Sequence, residues 1–250
     1  MRGARRLPAA VAALALALGA GACARRPLPP AAAPPDRAPP GPLYVAAGAS
    51  ETVGIGAADP LREAWPQVLY RTATGPRTTF VNLGVPGATV AEARRDQVPE
   101  AVALRPDVVT VWLNVNDLLA QVPTAAYEAG LVALLGDLRR GGATRVLVAN
   151  TPPLDRLPAY LGCRSAPADC PLAAELPGPD AVVAAVAAYN QAVARAAAAT
   201  GAEVVDLHAL GLAARARGGD GALVSGDGFH PSTAGHAAVA AAFAEVLGRR

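Results

Sequence analysis

Five short runs of small and β-branched apolar residues, 43–47, 78–83, 108–113, 145–149 and 203–207, are separated by stretches long enough to be helices. Apolar runs of that length, bounded by turn residues, read as buried strands. Strands that alternate with helices must pair in parallel, because each return to the same edge of the sheet requires a crossover. The predicted fold is therefore α/β, a five-stranded parallel sheet with helices on both faces. Such a sheet gathers all its carboxyl-terminal strand ends on one edge, where ligands bind. Four of those ends carry glycine or polar clusters: Ser50, Gly87, Asn116, and the loop that reaches Asp227 and His230.

The helical segments follow from start signals and spacing. Asp59 and Pro60 have the chemistry of a helix start, with Leu61, Trp65, Val68 and Leu69 recurring on one face. A helical stretch after Gly87 should break near Pro99, and further helices are expected over 124–140, 180–199 and 231–247. The segment 150–179 is long and proline-rich, which predicts a surface excursion at the same edge of the sheet. It is the candidate for substrate selection. A loop is expected between 207 and 231.

The amino-terminal 42 residues belong to a different class of chain. Residues 1–23 have a basic start (Arg2, Arg5, Arg6), an apolar run from Ala9 to Ala22 and small residues before Cys23, which is the pattern of an export signal. The run is too short for an ordinary membrane span. The sequence Ala20-Gly21-Ala22-Cys23 is similar to a bacterial lipobox, which makes Cys23 the expected lipid attachment site. Residues 24–42 are a Pro/Ala-rich linker, half proline from Pro27 onward, that cannot form a core and reaches about 50 Å when extended as polyproline at ~3.1 Å per residue. The folded domain is expected to span 43–250, outside the cytoplasm, tethered to the membrane by lipid or secreted. In an oxidising compartment Cys163 and Cys170, close together in the excursion, can pair and leave Cys23 alone.

Charge excludes a polyanion-binding role. All 22 basic residues are arginine, and once Arg2, Arg5 and Arg6 leave with the signal the domain is close to neutral. No nucleic-acid footprint remains.

Scarcity narrows the candidate chemistry. The chain has four serines (Ser50, Ser165, Ser225, Ser232) and three histidines (His208, His230, His236). Ser50 stands at a strand end and is a candidate nucleophile. His230 follows Asp227 by three residues on one tight turn, so the carboxylate can fix the imidazole tautomer and leave Nε2 as a base. The same residues could form a helix cap with a histidine nearby, or a metal pair, although no second cluster at ligand spacing supports a metal. His236 is expected as a partly buried or surface residue of the last helix.

Four blocks in order, Gly48-Ala49-Ser50, NLGVPG ending at Gly87, Asn114-Val115-Asn116-Asp117 and Asp227-Gly228-Phe229-His230-Pro231, resemble the SGNH or GDSL hydrolases across the whole domain. The resemblance implies a flavodoxin-like three-layer α/β/α sandwich, with Ser50 as nucleophile, His230 as base and Asp227 as its partner. It also implies an oxyanion hole from the main-chain N–H groups of Ser50 and Gly87 and the side chain of Asn116. Two positions depart from the family pattern, Ala49 where aspartate is usual and Asn114 where glycine is usual. Alternation along an extended strand would put Asn114 and Asn116 on one side, and the Asn-Asp pair selects Asn116.

The expected activity is hydrolysis of carboxylic esters through an acyl-enzyme, with no cofactor and no metal, on a small-molecule, lipid or sugar ester. The alternative is a non-catalytic binding lipoprotein that retains the fold.

Overall fold

The structure, a computed structural model, describes residues 41–170 and 176–249. The export signal, Cys23 and linker residues 24–40 lie outside the described residues.

Strands β1 (Leu43–Gly48), β2 (Thr79–Asn82), β3 (Val108–Trp112), β4 (Arg145–Ala149) and β5 (Glu203–Val205) form one sheet in the order β2-β1-β3-β4-β5. All four pairings are parallel. The helices in chain order are α1 (Ser50–Val53), α2 (Pro60–Glu63), α3 (Trp65–Ala73), α4 (Val90–Leu104), α5 (Val115–Leu119), α6 (Thr124–Arg139), α7 (Pro158–Ser165), α8 (Pro179–Thr200), α9 (Leu207–Ala216) and α10 (Thr233–Gly248).

Strand alternation sends side chains to two separate apolar layers. Val45, Val109, Val111 and Val146 pack under α4, α6 and α8, against residues such as Leu131, Leu135 and Val193. Tyr44, Ala46, Leu147 and Val205 pack on the other face against Trp65 of α3 and Phe243 of α10, whose rings stack at 4.3 Å. Small residues fill most of the rest, so the few aromatics act as local anchors. The chain leaves β1 sideways to β2, then returns past β1 to β3. The carboxyl ends of β1 and β3 therefore flank the point where the winding reverses, and an open crevice is expected there.

Where helix boundaries differ from the sequence expectation, proline and capping chemistry explain the difference. The helix expected from Asp59 is two helices: Pro66 has no N–H to give the Arg62 carbonyl, and the chain turns at Ala64 before Pro66 enters the first turn of α3. Conversely α4 runs unbroken through Pro99. Pro99 and Arg95, the residue four before it, both lie on the solvent side, so water can take the carbonyl that loses its donor. The last helix begins at Thr233, not Pro231. Pro231 is held extended in a bridge to Val224, and the Ser232 hydroxyl caps the helix by accepting the Gly235 N–H. The strand expected to reach 207 stops at Val205, where Asp206 instead caps α9 by accepting the Ala209 N–H.

The end of β1 is fastened with side-chain chemistry. Gln97 of α4, buried, accepts the Gly48 N–H on Oε1 and donates from Nε2 to the Gly48 carbonyl, both at 2.9 Å. The same carbonyl accepts the Val85 N–H at 3.0 Å. One glycine thus ties β1 to α4 and to the loop after β2.

Gln97→Leu conserves volume and leaves the buried Gly48 N–H without an acceptor, a loss of about 2–3 kcal/mol. Urea denaturation should show that loss as a lower midpoint with an unchanged m-value.

Candidate active site

Ser50 opens α1, so its main-chain N–H has no acceptor within the helix. Its hydroxyl donates to His230 Nε2 at 3.0 Å, and His230 Nδ1–H donates to Asp227 Oδ2 at 2.6 Å. The other Asp227 oxygen accepts from Ser225 Oγ at 2.7 Å, Phe229 N at 2.8 Å and His230 N at 2.9 Å. Desolvation raises the Asp227 carboxyl, but these donors outweigh it and hold the group well below the usual carboxylate range. An ionised Asp227 keeps the ring proton on Nδ1. The Nε2 lone pair therefore faces Ser50.

Two loops must meet closely for this contact. Gly56 follows α1 with φ +96°, and a Cβ there would lie 2.2 Å from the Pro231 carbonyl oxygen and 3.0 Å from His230 Cβ. Only glycine allows the serine loop to lie against the histidine turn. His236 locks that approach from below. It is fully buried rather than superficial, accepting the Trp65 N–H on Nδ1 and donating from Nε2 to the Ile55 carbonyl. Burial lowers its basicity, which suits this neutral tautomer.

Gly87 and Asn116 follow the ends of β2 and β3, the two strands on either side of β1. The Asn116 amide donates one N–H to the Ala88 carbonyl at 3.1 Å, next to Gly87, and keeps a second N–H for a ligand. Gly87 has φ +79° and open space around its α-carbon. Asn114 and Asn116 do not share a side as an extended chain would have them, because Asn114 precedes α5 and Asn116 is within it. The Asn114 side chain is 2% exposed and donates to the Ala149 carbonyl at 3.3 Å, tying β3 to β4. Ala49 is packed in the apolar layer beneath α4 and α6, a place where a carboxylate would need a partner of its own.

Asp117 follows Asn116 and is 2% exposed, accepting the Val90 N–H at the start of α4 at 3.0 Å. Desolvation pushes it up to about 6 in spite of that bond.

A cavity of about 350 Å³ is walled by Trp112, Leu154, Leu157 and Leu210, and reaches Glu51 beside Ser50 and Phe229 and Pro231 on either side of His230. The excursion after β4 supplies one wall and is partly folded as α7, its Ala159 N–H donating to the Gly228 carbonyl. Cys163 and Cys170 are joined by a disulfide in this excursion. Sequence reasoning missed Ser225, Gln97 and Glu51. Ser225 had a signal, standing two residues before Asp227 on the same turn, and Glu51 had one as the acid beside the candidate nucleophile.

The sequence profile of the GDSL-like lipase/acylhydrolase family matches residues 46–238, more than half of the chain. No curated protein matches it in sequence. Among solved structures it is similar to a lipase/acylhydrolase from Enterococcus faecalis, with 19% identity over 83% of this chain and 96% of that one and a TM-score of 0.62. A member of the lipolytic G-D-S-L family from Veillonella parvula is 17% identical over 84% of this chain and all of that one (100%), with a TM-score of 0.63. An acetyl-xylooligosaccharide esterase from Geobacillus is 20% identical over 84% and 95% of the two chains, with a TM-score of 0.61. At these identities the likeness carries the fold.

Asp117 generates a pH prediction. Its folded value lies above that of the unfolded chain, so the stability it contributes is full below about pH 4 and is lost as pH rises through about 6. Asp117→Asn keeps an oxygen for the Val90 N–H and removes the titration. The stability of the variant relative to wild type should therefore rise between pH 4 and 7, as read by denaturant midpoints across that range.

Proposed function

We propose a serine esterase: the chain belongs to the GDSL-like lipase/acylhydrolase family, whose members are hydrolases acting on esters, and its own residues supply an acyl-transfer mechanism. The observation that carries this reading is the continuous chain of hydrogen bonds from Ser50 through His230 to Asp227.

In the proposed reaction His230 Nε2 takes the Ser50 proton as Oγ attacks the ester carbonyl carbon. Asp227 holds the ring and stabilises the imidazolium that forms. The N–H groups of Ser50 and Gly87 and the free amide N–H of Asn116 receive the oxyanion. Collapse breaks the bond to the alcohol, which leaves with the proton from His230. Water, deprotonated by the same nitrogen, then releases the acid and restores Ser50.

We further propose that residues 1–23 export the chain and that Cys23 anchors it through lipid. The Cys163–Cys170 disulfide supports this reading, since such bonds persist in oxidising compartments. The substrates to try are short- and long-chain carboxylic esters together with acetylated xylooligosaccharides, the last because a structural neighbour acts on them.

Hydrolysis of p-nitrophenyl esters from acetate to palmitate should require Ser50, with Ser50→Ala inactive throughout; equal rates from both proteins would remove Ser50 from its assigned role. Asn116→Ala should lower kcat about 10²–10³-fold with a much smaller change in KM.

A further inference from the structure

Glu51 is a carboxyl that the proposed mechanism does not use. It is 7% exposed, in the first turn of α1 immediately after the nucleophile, and lines the 350 Å³ cavity beside the triad. Its Oε2 stands 3.4 Å from Ser50 Oγ, and no other side chain among the described residues donates to it. A buried carboxyl with only its own main-chain N–H and the long contact from Ser50 for partners is costly, and the cost is relieved when a ligand supplies a donor.

The position of this carboxyl defines what such a ligand looks like. When Ser50 Oγ bonds to an acyl carbon, the next two carbons of the acyl group lie close to Oγ, within hydrogen-bond reach of a carboxyl that already touches it. The remainder of the acyl chain has an apolar cavity to enter. A 150 Å³ apolar cavity accepts benzene, so the space here suits a chain of roughly twelve carbons. The alcohol must leave after one step, whereas the acyl group stays through both, which assigns the walled cavity to the acyl side.

Building on the esterase reading, we propose that this cavity is an acyl site selective for apolar acyl groups bearing a hydroxyl on the second or third carbon, with Glu51 as the residue that recognises the hydroxyl. The hydroxyl donates to the Glu51 carboxyl and occupies the oxygen to which Ser50 can otherwise donate. The single Ser50 hydrogen is then directed to His230 Nε2, so recognition also favours the reactive hydrogen-bond arrangement. Burial raises the Glu51 carboxyl above its ordinary value. A hydroxyl, able both to donate and to accept, matches either protonation state of that group, whereas an ammonium matches only the ionised one.

The test compares kcat/KM for p-nitrophenyl 3-hydroxyoctanoate and p-nitrophenyl octanoate in wild type, Glu51→Gln and Glu51→Leu. Wild type should prefer the hydroxy ester about tenfold or more. The preference should survive in part in Glu51→Gln, which retains an acceptor oxygen, and fall to about one in Glu51→Leu. Since leucine beside Ser50 can disturb the fold, the wild-type ratio is read first and the near-isosteric glutamine second, with thermal melts of each. A wild-type ratio near one, or a preference undiminished in both variants, overturns the proposal. A hydroxyl preference found only on the alcohol, with 1-octanoylglycerol favoured over propyl octanoate, also overturns it. If no ester is turned over in a Ser50-dependent way, the esterase reading has failed and the acyl-site assignment falls with it.

Discussion

The site depends on the immobilisation of one residue that takes no part in chemistry. Gly48 has both main-chain polar groups committed, its N–H to Gln97 and its carbonyl to Gln97 and Val85. A strand end usually leaves such groups to water and moves accordingly. Here they are bonded to an amide from the helix beneath and to the loop that carries Gly87. Ser50 and the loop that carries Gly87 are therefore positioned by a single rigid junction at Gly48. Preorganisation of this kind is where an active site of fixed dipoles gains its advantage over solvent.

Around that junction the protein treats its acids in opposite ways. Asp227 receives four donors and stays ionised, which its role beside an imidazole requires. Glu51 and Asp117 are more deeply buried, receive fewer donors, and are pushed toward the protonated form. The difference lies in the number of N–H and O–H groups aimed at each carboxyl. A turn with four donors in six residues, Ser225 to His230, makes an anion inexpensive to hold at a partly open position. The same charge at Asp117 or Glu51 has little besides one or two bonds to compensate its desolvation.

Much of this was legible in the sequence because the strands are short, apolar and punctuated by glycine or polar residues. Alternation with helices sets parallel pairing, and parallel pairing sends Ser50, Gly87, Asn116 and His230 to one edge before any coordinate is known. Helix ends were less legible, since Pro66 splits a helix and Pro99 does not. The two prolines differ in burial, Pro66 being buried and Pro99 exposed, which is tertiary information. Helix α9 stands where a loop is expected, because Asp206 caps the segment and Leu207 anchors it in the core. Gln97 and Glu51 are ordinary polar residues in sequence. Their functions follow from what burial places opposite them.

The separation of Ser50 from His230 by 180 positions has a consequence for the timing of activity. A chain emerging from its amino end exposes the serine first, while the base and its carboxylate follow only after all five strands. The histidine turn leads into α10, which packs on α3, so docking of α10 completes the hydrogen-bonded line from Ser50 to Asp227. A growing, truncated or nicked chain that lacks this segment carries a serine with an ordinary hydroxyl and no means of activating it. Under the proposed mechanism, hydrolytic competence thus coincides with completion of the tertiary fold.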